Sequence, residues 1–334
     1  MHGVDRQRLA QLALRQTLHK GRFYNLDRIP GHGLRDFLRW QRESRGRFPG
    51  GQRFPVQAPP DDLLHGKAEE PRLTWIGHAT FLFRHGDTNL LTDPVFSERV
   101  SPVQWAGPKR YTPPALTVDQ LPPIHKVLIS HNHYDHLDLH SVRALHGRFG
   151  EQITWYVPEG VGDWFRKRGI HNLVELGWWQ SAPHPQGEAF FVPAQHFSGR
   201  TGTDRNRSLW GGWIIDIDGF RLYFAGDTGY GSCFSDIGDV FDGVDLALLP
   251  IGAYAPRWFM QPVHVNPDEA VQIHLDVKAR RSVAMHWGTF VLTDEPMDEP
   301  PIQLRAALET RALDPADFLV LQHGETIAAR DTRT

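Results

Sequence analysis

Lys126-Val127-Leu128-Ile129-Ser130 runs directly into His131-Asn132-His133-Tyr134-Asp135-His136. The first five residues have the apolar texture of a buried strand. The next six place three imidazoles and a carboxylate on one tight loop at the strand's end. Alternate side chains leave an extended segment in opposite directions, so the loop can divide its ligands between two adjacent cations. On this reading His131 and His133 serve one ion, while Asp135 and His136 serve its neighbour. Unpatterned histidines are usually solvated, but H-x-H-x-D-H after a buried strand marks a metal-dependent enzyme.

One loop cannot close a two-metal site, so further ligands must arrive from other strand ends. His196 follows the apolar run Phe190-Phe191-Val192-Pro193. Asp227 lies in Ala225-Gly226-Asp227-Thr228-Gly229, where neighbouring glycines let a carboxylate approach two cations closely. His286 follows Ser282-Val283-Ala284-Met285. Two adjacent divalent cations acidify a shared water and neutralise phosphoryl oxygens, which suits attack on a phosphodiester without a serine or cysteine nucleophile. Cys233 reads as a small buried residue.

The chain has 334 residues, 40% of them hydrophobic and 11% aromatic, enough to bury a core. A single cysteine excludes an internal disulfide framework and a multi-thiolate zinc site. No apolar run is long enough to span a bilayer, and the first twenty residues lack the apolar core of a secretory signal. A cytoplasmic location is expected, with peripheral membrane contact. Residues 1–53 carry 12 basic against 4 acidic side chains, whereas the remainder carries 24 basic and 35 acidic. That basic arm could rest on anionic lipid headgroups or on its own acidic body. Nucleic acid is not an expected partner, since the pI of about 6.7 and the acidic main domain offer no basic groove.

Short β-rich runs are expected at 73–76, 80–84, 89–92, 126–130, 153–157, 189–192, 212–217, 221–225, 246–250, 282–285 and 317–321. Helical spacing appears at 4–20, 139–149, 161–168, 267–275 and 301–310. Hairpins followed by β-α alternation predict an α/β fold in which two sheets are sandwiched between helices. Residues 1–70 read as an N-terminal extension packing on a main domain of residues 71–334.

These blocks resemble metallo-β-lactamase-superfamily hydrolases, whose fold is an αββα sandwich of two mixed β-sheets flanked by helices. Within that superfamily the chain is similar to bacterial members of the N-acyl-phosphatidylethanolamine-hydrolysing phospholipase D family. The resemblance rests on Trp75-Ile76-Gly77-His78-Ala79-Thr80, Leu91-Thr92-Asp93-Pro94, Gly107-Pro108-Lys109-Arg110 and residues 129–138 and 224–230. It continues through His286-Trp287-Gly288-Thr289-Phe290. Gly252-Ala253-Tyr254, followed by Pro256-Arg257-Trp258-Phe259-Met260 and His264, is the block more specific to the phospholipase branch.

The resemblance implies two Zn2+ ions per chain. His131, His133 and His196 would hold one, Asp135, His136 and His286 the other, and Asp227 would bridge them as a catalytic carboxylate. The same ligand set is compatible with Mn2+ or Fe2+. Asp93 is expected to support the metal loop by hydrogen bonding, and His78 to order the first β-turn. Tyr134 and His264 match positions that contact the phospholipid, and His264 could also help protonate the leaving group. Arg257 and Trp258 are expected at the same mouth. The implied reaction splits N-acyl-phosphatidylethanolamine into N-acylethanolamine and phosphatidic acid by means of a metal-bridging hydroxide. Expected partners are a phospholipid or other phosphodiester, a membrane surface touched by the basic arm, and a second copy in a homodimer. Alternatives left open are a lactonase or small-molecule phosphodiesterase of the same superfamily, a membrane-binding protein with a structural metal site, and a nuclease.

Overall fold

A computed structural model describes residues 3–15, 17–27, 29, 32–44 and 50–330. The arm contains α1 (Arg6–Ala13), the short strands β1 (Leu18–His19) and β2 (Arg22–Phe23), α2 (Leu34–Glu43) and α3 (Asp61–Leu64). There follow β3 (Ala68–Gly77), β4 (Thr80–Gly86), β5 (Thr88–Thr92), β6 (Lys126–Leu128), α4 (Leu139–Phe149), β7 (Thr154–Pro158), α5 (Gly162–Arg166) and β8 (Leu173–Leu176). The second half begins with β9 (Ser181–His184), β10 (Gly187–Val192), β11 (Gly212–Ile217), β12 (Phe220–Phe224), α6 (Cys233–Phe241) and β13 (Leu246–Pro250). It ends with α7 (Arg257–Met260), α8 (Pro267–Asp276), β14 (Ser282–Met285), α9 (Glu299–Thr310), β15 (Phe318–Leu319) and β16 (Thr326–Ala328).

Two seven-stranded sheets form, in the orders β16-β3-β4-β5-β6-β7-β8 and β15-β14-β13-β12-β11-β10-β9. Each is mixed: β3-β4-β5 and β9 to β12 pair antiparallel, whereas β5 to β8 and β12 to β15 pair parallel. The inner faces meet in one core containing Trp75, Phe81, Phe83, Phe191, Trp213 and Phe224. A second cluster lies where Val142 and Leu145 of α4 and Phe165 of α5 cover Leu82, Leu91, Val127 and Trp155. Alternation therefore sends Trp155 towards the helices and Tyr156 into the inter-sheet core. Burial of both faces explains why these strands read as continuous apolar runs.

Several boundaries differ from the expected ones for identifiable reasons. The first helix stops at Ala13, and the residues beyond it form β1 and β2 instead, joined by a tight turn at Lys20 (φ 48°) and Gly21 (φ 71°). Strand β6 ends at Leu128 because the Asp93 carboxylate captures the Ser130 amide at 2.7 Å. Helix α6, not expected from the sequence, buries Phe234, Ile237, Gly238, Val240 and Phe241 and turns Ser235, Asp236 and Asp239 outward; its weak helix formers Ser235, Asp236, Gly238, Asp239 and Val240 hide it. Any Cβ on Gly238 would lie 2.0 Å from the Asp276 carbonyl of α8, so the two helices pack at backbone distance.

The arm lies against this body. Leu9, Leu12 and Phe23 join the inter-sheet core cluster. Arg6 pairs with Glu188, Arg8 with Asp236 at 2.8 Å and Arg15 with Asp236 at 3.2 Å. Exposed ion pairs contribute only about 0–1 kcal/mol each, so apolar burial does more than charge to hold α1 in place. Among the described residues no helix is long and apolar enough to cross a membrane.

Candidate metal centre

Five loops converge at the C-terminal ends of strands, the usual place for a site in such sheets. Asp93 follows β5, the His131 loop follows β6, His196 follows β10, Asp227 follows β12 and His286 follows β14. The loop after β6 is a turn rather than an extended segment: His136 N and Leu137 N both donate to the His133 carbonyl, at 3.2 and 2.8 Å. The division of its ligands thus arises from the turn, not from strand alternation. His131 and His133 gather with His196, and Asp135 and His136 gather with His286.

The ligand atoms are spaced as a cation would require. In the first group, His133 Nδ1 lies 2.8 Å from His131 Nε2 and 3.2 Å from His196 Nε2. In the second, Asp135 Oδ2 is 3.4 Å from both His136 Nε2 and His286 Nε2, which are 3.3 Å apart. Tetrahedral coordination with zinc–nitrogen bonds of about 2.0–2.1 Å places its ligand atoms about 3.3 Å apart. Asp227 spans the groups, with Oδ2 3.1 Å from His136 Nε2 and 3.9 Å from His196 Nε2, and Oδ1 3.1 Å from His286 Nε2. Yet Asp227 Oδ1 is buried without a properly directed hydrogen bond. Lone pairs facing one another in a buried cluster are stabilised by a cation, and these side chains fit a dinuclear metal site.

Backbone strain concentrates here. His78, Asp93 and His286 have φ of 54°, 29° and 64°, a region costly for residues with side chains and tolerated where the surroundings enforce it. Two glycines allow the loops to close. A Cβ on Gly226 (φ 63°) would meet Ser130 Cβ at 2.5 Å, and one on Gly252 would meet the His286 carbonyl at 2.1 Å. The Gly252-Ala253-Tyr254 segment is then fixed by buried Glu295, which accepts the Ala253 amide at 2.6 Å and the Ala255 amide at 3.0 Å. No spacing or motif in the sequence pointed to Glu295.

Asp93 is fully buried and accepts from Ser130 N, Ser130 Oγ and His136 Nδ1, the last at 2.6 Å. His78 does more than order its turn. Its amide donates to Thr289 Oγ1 at 2.9 Å and its carbonyl accepts from Trp75 Nε1 at 3.0 Å, but its Nε2 also reaches Asp135 Oδ2 at 3.1 Å. That side chain is part of the cluster containing Asp135, His136 and His286.

Among the protein groups alone, burial pushes His133 down to about 3 and His196 to about 4, with His131 well below its ordinary range. These rings are neutral and keep a lone pair for a cation. Burial opposes charge on His286 too, but Asp227 and Asp135 outweigh it and hold the ring up at about 9. The same carboxylates raise His136 well above its ordinary value against burial. Metal-stripped protein is therefore expected to be most stable near pH 6.5. Below that pH the unfolded chain takes up protons that His78, His133 and His196 refuse in the fold down to about 3 or 4, so stability falls as pH falls. Above it, His286 keeps a proton the unfolded chain has lost, and its contribution fades as pH rises through about 9. Thermal melts of chelated protein across this range check the sign; a Tm rising steadily through pH 9 would contradict it.

A pocket of about 850 Å³ opens over the cluster. His133, Asp135, Asp227, His264 and His286 form its base, and Phe37, Trp40, Phe197, Phe259, Met260 and Leu292 line its apolar walls. Helix α2 of the arm thus supplies part of the wall. Trp40 anchors it, stacking on Phe259 at 5.1 Å and donating from Nε1 to Asp294 at 3.2 Å. The apolar spacing of Leu34, Phe37 and Leu38 was the sequence signal for this helix, hidden among glycines and prolines.

His264 reaches the base with an unpartnered, buried Nδ1 and is placed with His196 and Asp227. Burial holds its ring neutral. Tyr134 lies to one side: its hydroxyl donates to the Arg200 carbonyl at 2.9 Å, and its ring carries the Arg200 guanidinium at 4.0 Å. Arg257 and Trp258, expected at the mouth, do not line the pocket. Arg257 pairs with Glu269 and donates to the His264 carbonyl at 2.8 Å, so it positions that residue, while Trp258 stacks with Arg39. Cys233 is buried in the core, where burial raises its thiol above its ordinary range.

Residues 88–287 match the model of the beta-lactamase superfamily domain. The chain is similar to N-acyl-phosphatidylethanolamine-hydrolyzing phospholipase D 1 of Caenorhabditis elegans, with 40% identity covering 77% of this chain and 76% of the relative. It is 43% identical to an uncharacterised protein of Mycobacterium tuberculosis, over 76% of this chain and 68% of that one. Among solved structures, Igni18, a metallo hydrolase of the archaeon Ignicoccus hospitalis, matches its fold with a TM-score of 0.58, 21% identity and coverage of 77% of this chain and 97% of that one. With two mixed sheets and converging histidine and aspartate ligands, the chain is a metal-dependent hydrolase with the metallo-β-lactamase fold. It belongs to the metallo-β-lactamase superfamily, in the family that includes the N-acyl-phosphatidylethanolamine-hydrolysing phospholipase D proteins.

Proposed function

We propose that the chain is a dinuclear zinc phosphodiesterase of phospholipase D type, hydrolysing N-acyl-phosphatidylethanolamine-like lipids to N-acylethanolamine and phosphatidic acid. The observation carrying this reading is the apolar 850 Å³ pocket whose floor is the paired metal-ligand cluster. A charged diester can sit on that floor while acyl chains lie against Phe37, Trp40, Phe259 and Leu292. The family's relative in Caenorhabditis elegans, named for this activity, supports the same choice.

His131, His133 and His196 would hold one ion and Asp135, His136 and His286 the other, with Asp227 shared. Such ions supply an acidified water and neutralise charge developing on the phosphoryl oxygens. The protein's own contribution is placement. Asp93 fixes the His136 tautomer, Arg257 positions His264, and the apolar wall excludes bulk water from the phosphorus. A neutral His264, with one N–H to give, would donate to a phosphoryl or leaving-group oxygen. Tyr134 would act on the lipid through the Arg200 loop it anchors. Exposed Leu18, Phe37 and Leu38 on the arm would face the bilayer from which substrate is drawn.

The test is a lipid-hydrolysis screen of protein with measured metal content, with products read by mass spectrometry. N-acylethanolamine and phosphatidic acid should appear, vanish on chelation and return with zinc. Turnover of lactones or soluble diesters alone, with every such lipid intact, would overturn the reading. Within the same assay, Phe37→Ser should raise KM for long-chain substrate about tenfold, since burying a phenyl group is worth about 1.5–3 kcal/mol, and leave short-chain KM nearly unchanged.

A further inference from the structure

A second pocket, of about 340 Å³, lies on the reverse side of the metal loop, with Asn132 and Leu137 in its wall but none of the proposed metal ligands. The segment 197–208 separates the two cavities: Phe197 and Arg205 line the catalytic one, Arg200, Arg207 and Ser208 the other. Four cationic side chains, Lys167, Arg168, Arg200 and Arg207, converge on the second pocket. Its two carboxylates are already engaged. Asp163 accepts from Arg166 at 2.8 Å, and Asp204 accepts the amides of Arg200 and Thr201 at 3.0 and 2.8 Å.

The site is built rather than incidental. Trp164 forms an apolar floor on which the guanidinium of Arg168 stacks at 3.8 Å and that of Arg200 at 5.5 Å. Arg200 is held by donation from Nη1 to the carbonyls of Asn132 and Leu137 at 2.9 and 2.6 Å. Arg168 Nε is buried without a partner, and so is Oγ of Ser208, a residue only 3% exposed. A buried hydroxyl and a buried guanidinium N–H left unpaired among four cations are costly unless an anion accepts from them. Burial, joined by Arg143 for Arg168, holds both arginines below their ordinary range, which an anion would relieve.

We infer that this pocket is a binding site for a phosphomonoester dianion, separate from the catalytic centre. Planar guanidinium forks suit phosphate oxygens, and two negative charges offset most of the cationic surplus that remains when Asp204 is set against the four cations and Asp163 pairs with Arg166. A free phosphate ester and the headgroup of a phosphatidate carry the same group, and the cavity holds either head.

The experiment is calorimetric titration of metal-loaded full-length protein with glycerol 3-phosphate and, separately, with dihexanoyl phosphatidate. Binding at the metals is common to all variants, so differences between them report this pocket. Lys167→Ala/Arg168→Ala should weaken one class of site about 30-fold or more, as expected for losing two charge-assisted contacts, with Lys278→Ala as the unchanged surface control. Lys167→Glu, an exposed change that spares the Arg168 stacking, should weaken the same class if the double variant folds poorly. Equal affinity for the two ligands assigns the site to the phosphate head alone; tighter phosphatidate binding assigns it to the lipid. Titrations identical in wild type, Lys167→Glu and the double variant would overturn the inference.

Discussion

Asp227→Asn is expected to lower hydrolysis at least about 10³-fold, about 4 kcal/mol of barrier. Asp227 faces ligand nitrogens of both histidine groups. Its oxygens lie 3.1 Å from both His136 Nε2 and His286 Nε2, with His196 Nε2 at 3.9 Å. An amide keeps the volume but removes the negative charge, leaves one acceptor oxygen and turns N–H groups towards ligand nitrogens or a cation. The variant should fold, because Asp227 is buried among ligands and does not bridge core strands, and should bind fewer than two metals. Metal analysis beside the rate constant checks both halves of the expectation. Full activity with a full metal complement would remove Asp227 from the bridging position.

Asp93→Asn is expected to weaken metal binding about 10–100-fold, the usual cost of losing a residue that orients a ligand. As a carboxylate, Asp93 accepts from Ser130 N and from His136 Nδ1 at 2.7 and 2.6 Å, which leaves His136 Nε2 as the nitrogen offered to a cation beside Asp227 and the second group. An asparagine can satisfy the Ser130 amide with its oxygen but then presents NH2 to His136. The imidazole would shift its proton to Nε2, where a cation should sit. Leaving a buried donor unmatched also costs about 1–3 kcal/mol of stability. Competition with a chromogenic chelator and a thermal melt measure the two effects separately. Unchanged metal affinity with a lowered Tm would make Asp93 a purely structural residue.

The strand ends that build the centre were legible because each metal-ligating residue follows a run whose both faces are buried. Apolar residues stop abruptly where a ligand begins, as at Leu128 to His131 and Met285 to His286. Helix α8 was equally legible, since Asn266, Pro267 and Glu269 form its capping box. The parts that were not legible lack such contrast. Strands β8 and β9 sit at sheet edges, half-buried, with Pro183 and His184 diluting their pattern. Strand β16 has three residues and is fixed by pairing with β3, some 250 positions earlier, which no local pattern encodes. His78 looked like a turn residue because its backbone is one; only the fold carries its imidazole to Asp135. Phe37 and Trp40 sit in a basic, loop-rich arm, and the placing of Trp40 in the pocket wall depends on Phe259 and Asp294 far along the chain.

The most direct test of the account is turnover of N-acyl-phosphatidylethanolamine by zinc-loaded protein in ¹⁸O-labelled water. Attack on phosphorus by water at the paired cluster requires one ¹⁸O in the phosphatidic acid and none in the N-acylethanolamine. Label in a released fatty acid, or in the N-acylethanolamine hydroxyl, would contradict it.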